Sequence, residues 1–404
     1  MGPVSNLELS NLSEFATKVV RFLEAEGETR AVAYDAGRDE LAVGDGQALT
    51  HFIGLGRLKA RHDAIAEASA QARVFERDLI ALRRMPTSFD AAARRLYPRL
   101  RPRATLATLE LRRQVLSAMG QGDGDDISVP HQEVNSALAV HLVFQLSEEA
   151  VDVGQDRLKA WGRSFDELLE VAVANLAALP EDEPRELRPG LWALTGESGH
   201  VAARLVVGSA LEKTTLGPDA VAMAPNQNVL LFADPADDAA LIQMARIGLE
   251  ASQAPLGLWG VTMARSDGRW DPWLPEASRP SHGPLKLARL PGTARLYAAH
   301  RDIQAAWHEI QNVADEVSPL LAVQDDGKPY GSAVWQRGVA TLLPPADRVA
   351  VVDVSTGEPR AWSVPWADLA TLGVTLVHVE GVLDYWRATG DVPLESITSY
   401  PRLQ

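Results

Sequence analysis

The stretch VAMAPNQNVLLFADPADDAALIQMARIGLEAS, residues Val221–Ser252, decides the fold of this chain. Two apolar segments, 220–224 and 228–233, flank a Pro-Asn-Gln sequence, and such residues favour tight turns. Apolar residues then recur at helical spacing over 237–251, with aspartates placed to cap the first turn. The stretch therefore predicts two paired strands followed by a helix.

The sequence before this stretch alternates helical and strand patterns. Helices are predicted where apolar residues recur every three or four positions, and strands where short apolar runs are bounded by turn residues. The predicted helices are 10–26, 57–84, 88–96, 106–119 and 165–179, and the predicted strands are 31–34, 40–43, 137–146, 191–195 and 201–207.

The sequence after this stretch predicts a strand at 258–264 and then an irregular segment, 266–290, rich in Pro, Gly, Ser and Trp. We interpret that segment as a domain boundary. Beyond it, helices are predicted at 302–317 and 381–388, and strands at 333–342, 349–354, 361–364 and 374–379. Eight of the ten tryptophans follow residue 250, which favours a C-terminal unit with its own core, because each ring buries a large area.

The order of these elements predicts an α+β fold made of mixed sheet-plus-helix lobes. We expect an N-terminal helix, hairpin and helical region at 1–130, a central α+β lobe at 131–270 and a Trp-rich C-terminal α+β lobe at 291–404. A length of 404 residues is ample for two or three domains with sizeable cores.

Composition excludes several classes of protein. Hydrophobic residues make up 46% of the chain and charged residues 23%, which is typical of a globular protein and not of a disordered one. The absence of cysteine excludes disulfide scaffolds and cysteine-ligated metal sites. No apolar run approaches the roughly 20 residues that span a bilayer, and the first residues do not resemble a signal peptide. We expect a cytoplasmic protein without a membrane partner.

Charge is distributed unevenly along the chain. The net charge is −15, and an acidic protein tends to repel nucleic acid. Residues 57–113, however, carry 14 basic and 6 acidic side chains, among them Arg99 and Arg101. These arginines could pair with the protein's own acidic surface, bind an acidic partner protein or bind nucleic acid. The last alternative is disfavoured, because few aromatic residues are interleaved with the arginines.

The candidate catalytic and ligand-binding motifs do not have the residue spacing that their chemistry requires. Gly196–His200 (GESGH) has a histidine in place of the last glycine of a G-x-S-x-G nucleophile elbow, and it lies between two predicted strands. Gly54 and Gly56 lack the third glycine of a dinucleotide fingerprint. No histidine pair has zinc-ligand spacing, and His141 within an apolar strand is predicted to be a core residue. We therefore predict no catalytic residue, metal site or cofactor.

Four segments in this order resemble the YtpQ family of uncharacterised bacterial cytoplasmic proteins. They are LYPRLRP at 96–102, the Trp-Gly step and Leu-rich helix of 156–179, GLWALTGESGHVAARLVV at 190–207, and 221–252. The resemblance covers about residues 10–275 and implies a mixed α+β fold with no assigned catalytic residues. The region after about residue 275 is an addition to the family pattern.

These observations favour a non-enzymatic protein-binding factor of the adaptor, immunity or chaperone-like type, whose partner is another protein. The alternative is a hydrolase whose site is assembled from separate loops of the central lobe. Trp270 and Trp273 either form a recognition surface or plug the domain junction. The candidate binding residues are Asn226, Asn228, Asp234, Trp270, Trp273, Arg99 and Arg101.

Overall fold

A computed structural model describes residues 14–25, 31–35, 40–45, 48–63, 71, 75, 86, 88–119, 128–145, 150–180, 183–207, 209–266, 268–325, 328–355, 357–381 and 383–403. Helices and several sheets are present together, which confirms the α+β class.

The chain forms two compact units. The first unit comprises Met1–Pro98, Arg112–His131 and His141–Ala178, and the second comprises Arg99–Leu111, Gln132–Val140 and Leu179–Gln404. The division into three lobes stays a prediction.

The beginning of the first unit is a helix beside a three-stranded antiparallel sheet. Helix Glu14–Ala25 buries Phe15, Val19 and Leu23, as its spacing predicts. The predicted hairpin is confirmed, and a third strand that the sequence did not indicate pairs with it. The strands are β1 (Ala31–Asp35), β2 (Glu40–Asp45) and β3 (Ala48–Gly54). Of the long predicted helix 57–84, Leu55–Asp63 and the helical residues Gln71 and Phe75 are described, and the rest lies outside the described residues.

The remainder of the first unit has a second apolar core. Leu168 and Ala172 of one helix pack with Leu142 and Phe144 of a strand. His141 of this strand is fully buried, as predicted. The helices of this unit are Phe89–Ala92, Gln155–Trp161 and Phe165–Ala178. The predicted helix at 106–119 extends over Arg103–Ala118 and is divided between the units at Arg112.

The strands β4 (Leu96–Pro102), β6 (Leu138–Gln145) and β5 (His131–Glu133) adjoin in that order, and β7 (Ala150–Asp152) pairs with β6. The residues of these strands within 99–111 and 132–140 belong to the second unit.

A six-stranded antiparallel sheet organises the second unit. Its hairpin and following helix are those predicted from Val221–Ser252, and Asp237 caps the helix by accepting from the N–H groups of Ala239 and Ala240. The strand order is β13 (Arg269–Pro272), β12 (Thr262–Ser266), β10 (Val221–Asn226), β11 (Val229–Ala233), β9 (Leu191–Thr195) and β8 (Arg185–Arg188). Helices Asp238–Gln253 and His282–Gln311 share an apolar core with the sheet.

Two predictions in this region are wrong. Residues 201–207 are not a strand, since a turn leads into the short helices Arg204–Val207 and Ser209–Glu212. Ala202, Ala203 and Leu205 are buried there, so tertiary packing outweighs the strand preference of the valines. The prediction of an irregular segment at 266–290 is wrong for strand β13 and for 282–290, where helix His282–Gln311 begins, although 273–281 consist of turns and coil. Pro and Gly residues obscure both elements in the sequence.

The C-terminal part of the second unit contains two further sheets. The predicted strands are present, but 333–342 is divided into two strands by a turn. The predicted helix 381–388 is wrong: Tyr385–Thr389 forms a hairpin with Thr375–Val379. Its Tyr, Trp and Thr residues favour strands. One sheet has the order β14 (Glu316–Val317), β17 (Thr341–Leu343), β21 (Tyr385–Thr389) and β20 (Thr375–Val379), and the other has β15 (Leu320–Asp325), β16 (Lys328–Gln336), β18 (Arg348–Asp353), β19 (Arg360–Pro365) and β22 (Arg402–Leu403). Helix Leu394–Ile397 precedes β22.

Candidate functional site

An open cleft in the second unit combines arginine and aromatic side chains. Its cavity volume is about 10 Å³, which is room for about one water molecule. Apolar walls and two guanidinium groups therefore meet within a small space. We call it the arginine–tryptophan cleft, and its lining residues are Arg204, Leu205, Ala210, Leu211, Phe232, Arg265 and Trp270.

The sheet register positions three of these side chains. Successive residues of a strand point to opposite faces. In β11, Leu231 and Ala233 belong to the core that the sheet shares with the two long helices, so Phe232 points to the other face. Arg265 and Trp270 are directly opposite each other in the β12–β13 hairpin. The guanidinium carbon of Arg265 lies 6.0 Å from the Trp270 ring centroid, within the range of a cation–π contact.

Arg204 enters the cleft from the short helix Arg204–Val207 and is 4% exposed. Its Nη2 donates to the carbonyl oxygen of Pro180 at 3.1 Å. The turn before it is anchored to the sheet, because the N–H of Ala202 donates to the carbonyl oxygen of Gln227 at 3.0 Å. A buried guanidinium thus has a defined position beside Phe232 and Trp270.

The charges of two arginines act on His200, which precedes Arg204 in the chain. It is 3% exposed, and burial together with the charges of Arg99 and Arg204 lowers its pKa to about 4. The imidazole is therefore neutral at pH 7. The positive charge around this turn comes from the guanidinium groups alone.

The turn before His200 brings two predicted site residues together. Gly199 has φ +74°, and a Cβ there would lie 3.3 Å from Nη2 of Arg99. The N–H of Gly199 donates to Oδ1 of Asn228 at 2.8 Å. A glycine at 199 thus allows both the left-handed turn and the close approach of Arg99. Arg99 and Asn228 were predicted as site residues from distant segments, and they meet here.

Neighbouring contacts hold strand β4 against this turn. Nε2 of Gln227 donates to the carbonyl oxygen of Leu100 at 2.6 Å. The burial of β4 alternates, and Arg99 and Arg101 are half-buried on the same face. Arg101 therefore extends the basic face that begins at Arg99. In the same segment, Arg103 pairs with Glu133 at 2.6 Å, so self-pairing accounts for part of the basic stretch.

Asn226 and Asp234 have structural roles. The amide of Asn226 donates to the carbonyl oxygens of Ala251 and Pro255, and its Oδ1 accepts from the N–H of Asn228. Oδ1 of Asp234 accepts from the N–H of Ala236 in an Asx turn. The helix cap is Asp237, so Asp234 starts the turn that precedes the helix.

The two predicted tryptophans, Trp270 and Trp273, lie in different surroundings. Trp270 lies within strand β13 and lines the cleft, whereas Trp273 follows the strand and packs with the core that the sheet shares with the long helices. Trp270 is therefore outside the irregular linker that the sequence predicted, whereas Trp273 is the first residue of the irregular stretch 273–281. Trp270 is 8% exposed, and its ring lies 6.4 Å from that of Phe232.

Ser198 was the one nucleophile candidate that the sequence raised. The motif follows strand β9 and precedes a turn and a short helix, not a second strand. Oγ of Ser198 accepts from the backbone N–H of His200 at 3.3 Å, which is a local turn contact. With a pKa of about 4, the His200 imidazole is a weak base for activating a hydroxyl group.

Arg204, Arg265 and Phe232 were not among the predicted site residues. Arg204 could have been recognised in the sequence, since it is the only charged residue in the apolar run 201–207. A charged residue in such a run is seldom buried without a specific role. No sequence feature indicated Arg265 or Phe232 as site residues, because their position depends on which strands are neighbours.

The described residues also bear on metal sites and on membrane-spanning helices. No group of three or more His, Asp or Glu side chains there is arranged to hold a metal ion. No helix in that part of the chain combines the length and apolarity that a bilayer crossing requires. Comparisons with protein-family models, curated proteins and solved structures found no match to this chain. The resemblance to the YtpQ family therefore stays a prediction.

Proposed function

We propose that this chain is a non-enzymatic binding protein that recognises an acidic partner protein through the arginine–tryptophan cleft. The observation that carries the proposal is the lining of that cleft, in which the exposed guanidinium group of Arg265 lies beside Trp270 and Phe232. Arginine and aromatic residues are the side chains that most often anchor protein interfaces.

The size of the cleft favours contact with the surface of a partner over enclosure of a small-molecule substrate. Sites for small molecules usually enclose roughly 300–1,000 Å³. The cavity here is about 10 Å³, room for about one water molecule. A partner would therefore contact the side chains at the mouth of the cleft. The hydrolase alternative gains no support from Ser198, whose hydroxyl group contacts its own turn.

The test compares two arginines of the same hairpin. Both side chains are exposed, but Arg265 lines the cleft and Arg269, on the neighbouring strand, does not. Arg265→Glu and Arg269→Glu change the net charge equally. Wild type and both variants are used in nuclease-treated affinity purification from the native host, and the partner is then purified and its Kd measured.

We expect R265E to weaken partner binding by about tenfold or more, because it removes a charge-assisted contact and adds repulsion. R269E should bind within about threefold of wild type. Equal losses in both variants would indicate only a general charge effect. A partner that binds R265E as tightly as wild type would refute the assignment of the cleft.

A further inference from the structure

We infer that the C-terminal part of the second unit binds a quaternary ammonium group on a surface formed by Trp366, Trp386, His378 and Asp384. We call this surface the tryptophan corner. It contains none of the residues that line the arginine–tryptophan cleft, so the inference goes beyond the proposed function. Three features support it: the arrangement of the rings, the charge beside them and the contacts of the neighbouring arginines.

Two half-buried tryptophans of the tryptophan corner lie nearly at right angles to each other. The ring centroids of Trp366 and Trp386 are 6.5 Å apart, and the ring planes are inclined by 76°. His378 is directly opposite Trp386 in the β20–β21 hairpin, and its ring centroid lies 5.0 Å from that of Trp386. Three aromatic rings therefore adjoin at one surface, and none of the three residues is fully buried.

The backbone positions both tryptophans before a ligand arrives. Trp386 lies in β21, which pairs with β17 on one side and with β20 on the other. Trp366 begins a single 3₁₀ turn, and its N–H donates to the carbonyl oxygen of Asp347 at 3.0 Å. It also packs partly against the apolar core of the C-terminal sheets. This pre-organisation lowers the entropy that binding costs.

The charge beside the rings selects a cation. Oδ1 of Asp384 lies 3.3 Å from Nε2 of His378, and the Asp384 side chain is 67% exposed. Glu380, in the connection between β20 and β21, is exposed as well. The face of a tryptophan ring is negative because of its π electrons, and it attracts cations. A carboxylate next to these rings therefore favours a positively charged group over a neutral apolar one.

The protein's own arginines leave the tryptophan corner to an external cation. Three other tryptophans of the second unit have an arginine over the ring, namely Trp259, Trp270 and Trp362. Among the described residues, no arginine or lysine makes such a contact with Trp366 or Trp386. Arg387 follows Trp386 in the strand and points to the opposite face. There its Nη2 donates to Oδ1 of Asp315 at 2.9 Å.

The angle between the two rings favours a quaternary ammonium group over the side chains of arginine and lysine. A planar guanidinium group lies flat on only one of two rings that are inclined by 76°. The ammonium group of lysine is strongly hydrated and would lose water on contact with both rings. Methyl groups around the nitrogen make the cation rounded, so that it contacts both rings at once, and aromatic side chains recognise such cations. A trimethylated lysine side chain and a small free cation both carry this group.

The test follows the indole N–H signals of Trp366 and Trp386 by NMR in the full-length protein, with each signal assigned through its Trp→Phe variant. Four hexapeptides differ only at one central residue, which is trimethyllysine, lysine, arginine or a neutral analogue of trimethyllysine with carbon in place of the charged nitrogen. We expect the trimethyllysine peptide to bind at least about fivefold more tightly than each of the others. Tetramethylammonium chloride should shift the same signals, whereas sodium chloride at equal concentration should not.

Variants of the protein place the ligand at the tryptophan corner. Trp386→Leu keeps an apolar side chain but removes the ring, and it should weaken binding of the trimethyllysine peptide about fivefold or more. Its control is Trp307→Leu, which replaces another half-buried tryptophan, in helix His282–Gln311. Asp384→Asn should weaken binding about two- to threefold, because an exposed charge acts through water. Its control is Asp302→Asn, whose side chain is 63% exposed. Thermal melting of each variant establishes that it is folded.

The outcomes distinguish the two sources of the cation. A trimethyllysine peptide that binds at least about tenfold more tightly than tetramethylammonium would assign the site to a modified protein side chain, and similar affinities would assign it to a small free cation. Either result supports the inference. Equal binding of the trimethyllysine peptide and its neutral analogue would overturn it, because the surface would then be merely apolar. Tighter binding of the arginine peptide, equal losses in Trp386→Leu and Trp307→Leu, or no shift with either cation would overturn it as well.

Discussion

The second unit contains two pairs of arginines whose surroundings differ. In the C-terminal sheet, Arg337 and Arg360 converge on Asp353, whose side chain is 3% exposed, with N–O distances of 2.9 and 2.8 Å. In the arginine–tryptophan cleft, Arg204 and Arg265 lie beside Trp270 and Phe232 instead. The first pair is balanced by an internal carboxylate and therefore stabilises the fold. The second pair lies among apolar and aromatic side chains, where Arg204 donates to the carbonyl oxygen of Pro180 and Arg265 is exposed beside the Trp270 ring.

The largest effect is expected for Asp353→Asn. The substitution leaves two partly buried guanidinium groups without their shared charge, and breaking a buried ion pair is strongly destabilising. We expect the melting temperature to fall by roughly 5–10 °C. The matched control is Asp391→Asn, because Asp391 also pairs with Arg337 but its side chain is 71% exposed. A control that melts as low as D353N would show that burial is not the cause.

Acid should destabilise the protein in two separate phases. Burial lowers the pKa of His200 and of His300 from 6.5 to about 4, so the unfolded chain takes up these protons first. Stability is therefore complete above about pH 6.5 and falls towards pH 4, by up to about 1.4 kcal/mol per pH unit for each imidazole.

Asp353 accounts for the second acid phase. Burial alone would raise its pKa, but hydrogen bonds from Arg360 and Ser355 and the charge of Arg337 lower it below 3.8. Its contribution is present above that value and is lost as the pH falls through the lowered pKa. Urea denaturation at pH 7, 6 and 5 measures the first phase. A His200→Gln, His300→Gln double variant with the same acid sensitivity as wild type would contradict the assignment.

Arg204→Met should affect stability less than D353N, although Arg204 is as buried. The substitution keeps the volume and loses the hydrogen bond to Pro180, which by itself costs about 1 kcal/mol. It also removes a charge that lowers the pKa of His200, so that pKa should rise from about 4. Titration of the imidazole by NMR measures the rise. An unchanged His200 pKa would show that Arg204 does not act on the turn.

The smallest effect is expected for Asn228→Ala. It removes the acceptor for the N–H of Gly199, with a loss of about 1 kcal/mol or less in the free energy of unfolding. Asn228→Asp keeps an acceptor oxygen and should recover most of this loss in the same urea titration. If the two variants are equally destabilised, the amide group of Asn228 is important for another reason.

The sequence predicted helices and strands correctly where several local signals agreed. The hairpin and helix of Val221–Ser252 are present because turn residues, apolar periodicity and the Asp237 cap all favour the same structure. The errors fall where these signals conflict. In 201–207 valines favour a strand while the alanines and leucine are buried in turn and helix, and in 381–388 a Gly-Val-Leu start obscures a strand.

The predicted site residues were also correct only in part. Arg99, Asn228 and Trp270 were recognised by residue type alone; Trp270 lines the cleft, and Arg99 and Asn228 lie at the Gly199 turn. Asn226, Asp234 and Trp273 were recognised by the same criteria, yet they serve a turn, a turn and a core. Residue type indicates what a side chain can bind, but its neighbours decide whether it is used for the backbone or for a ligand.

The sequence by itself determined the α+β class, the central hairpin and helix, and the presence of arginines and tryptophans suited to an interface. These depend on local propensity and periodicity, which act within a few residues of one another. Only the tertiary structure decided that Arg204, Arg265 and Trp270 share one cleft. Their meeting depends on the β12–β13 register and on the anchoring of residue 202 to residue 227, and such long-range contacts leave no periodic signal in the sequence.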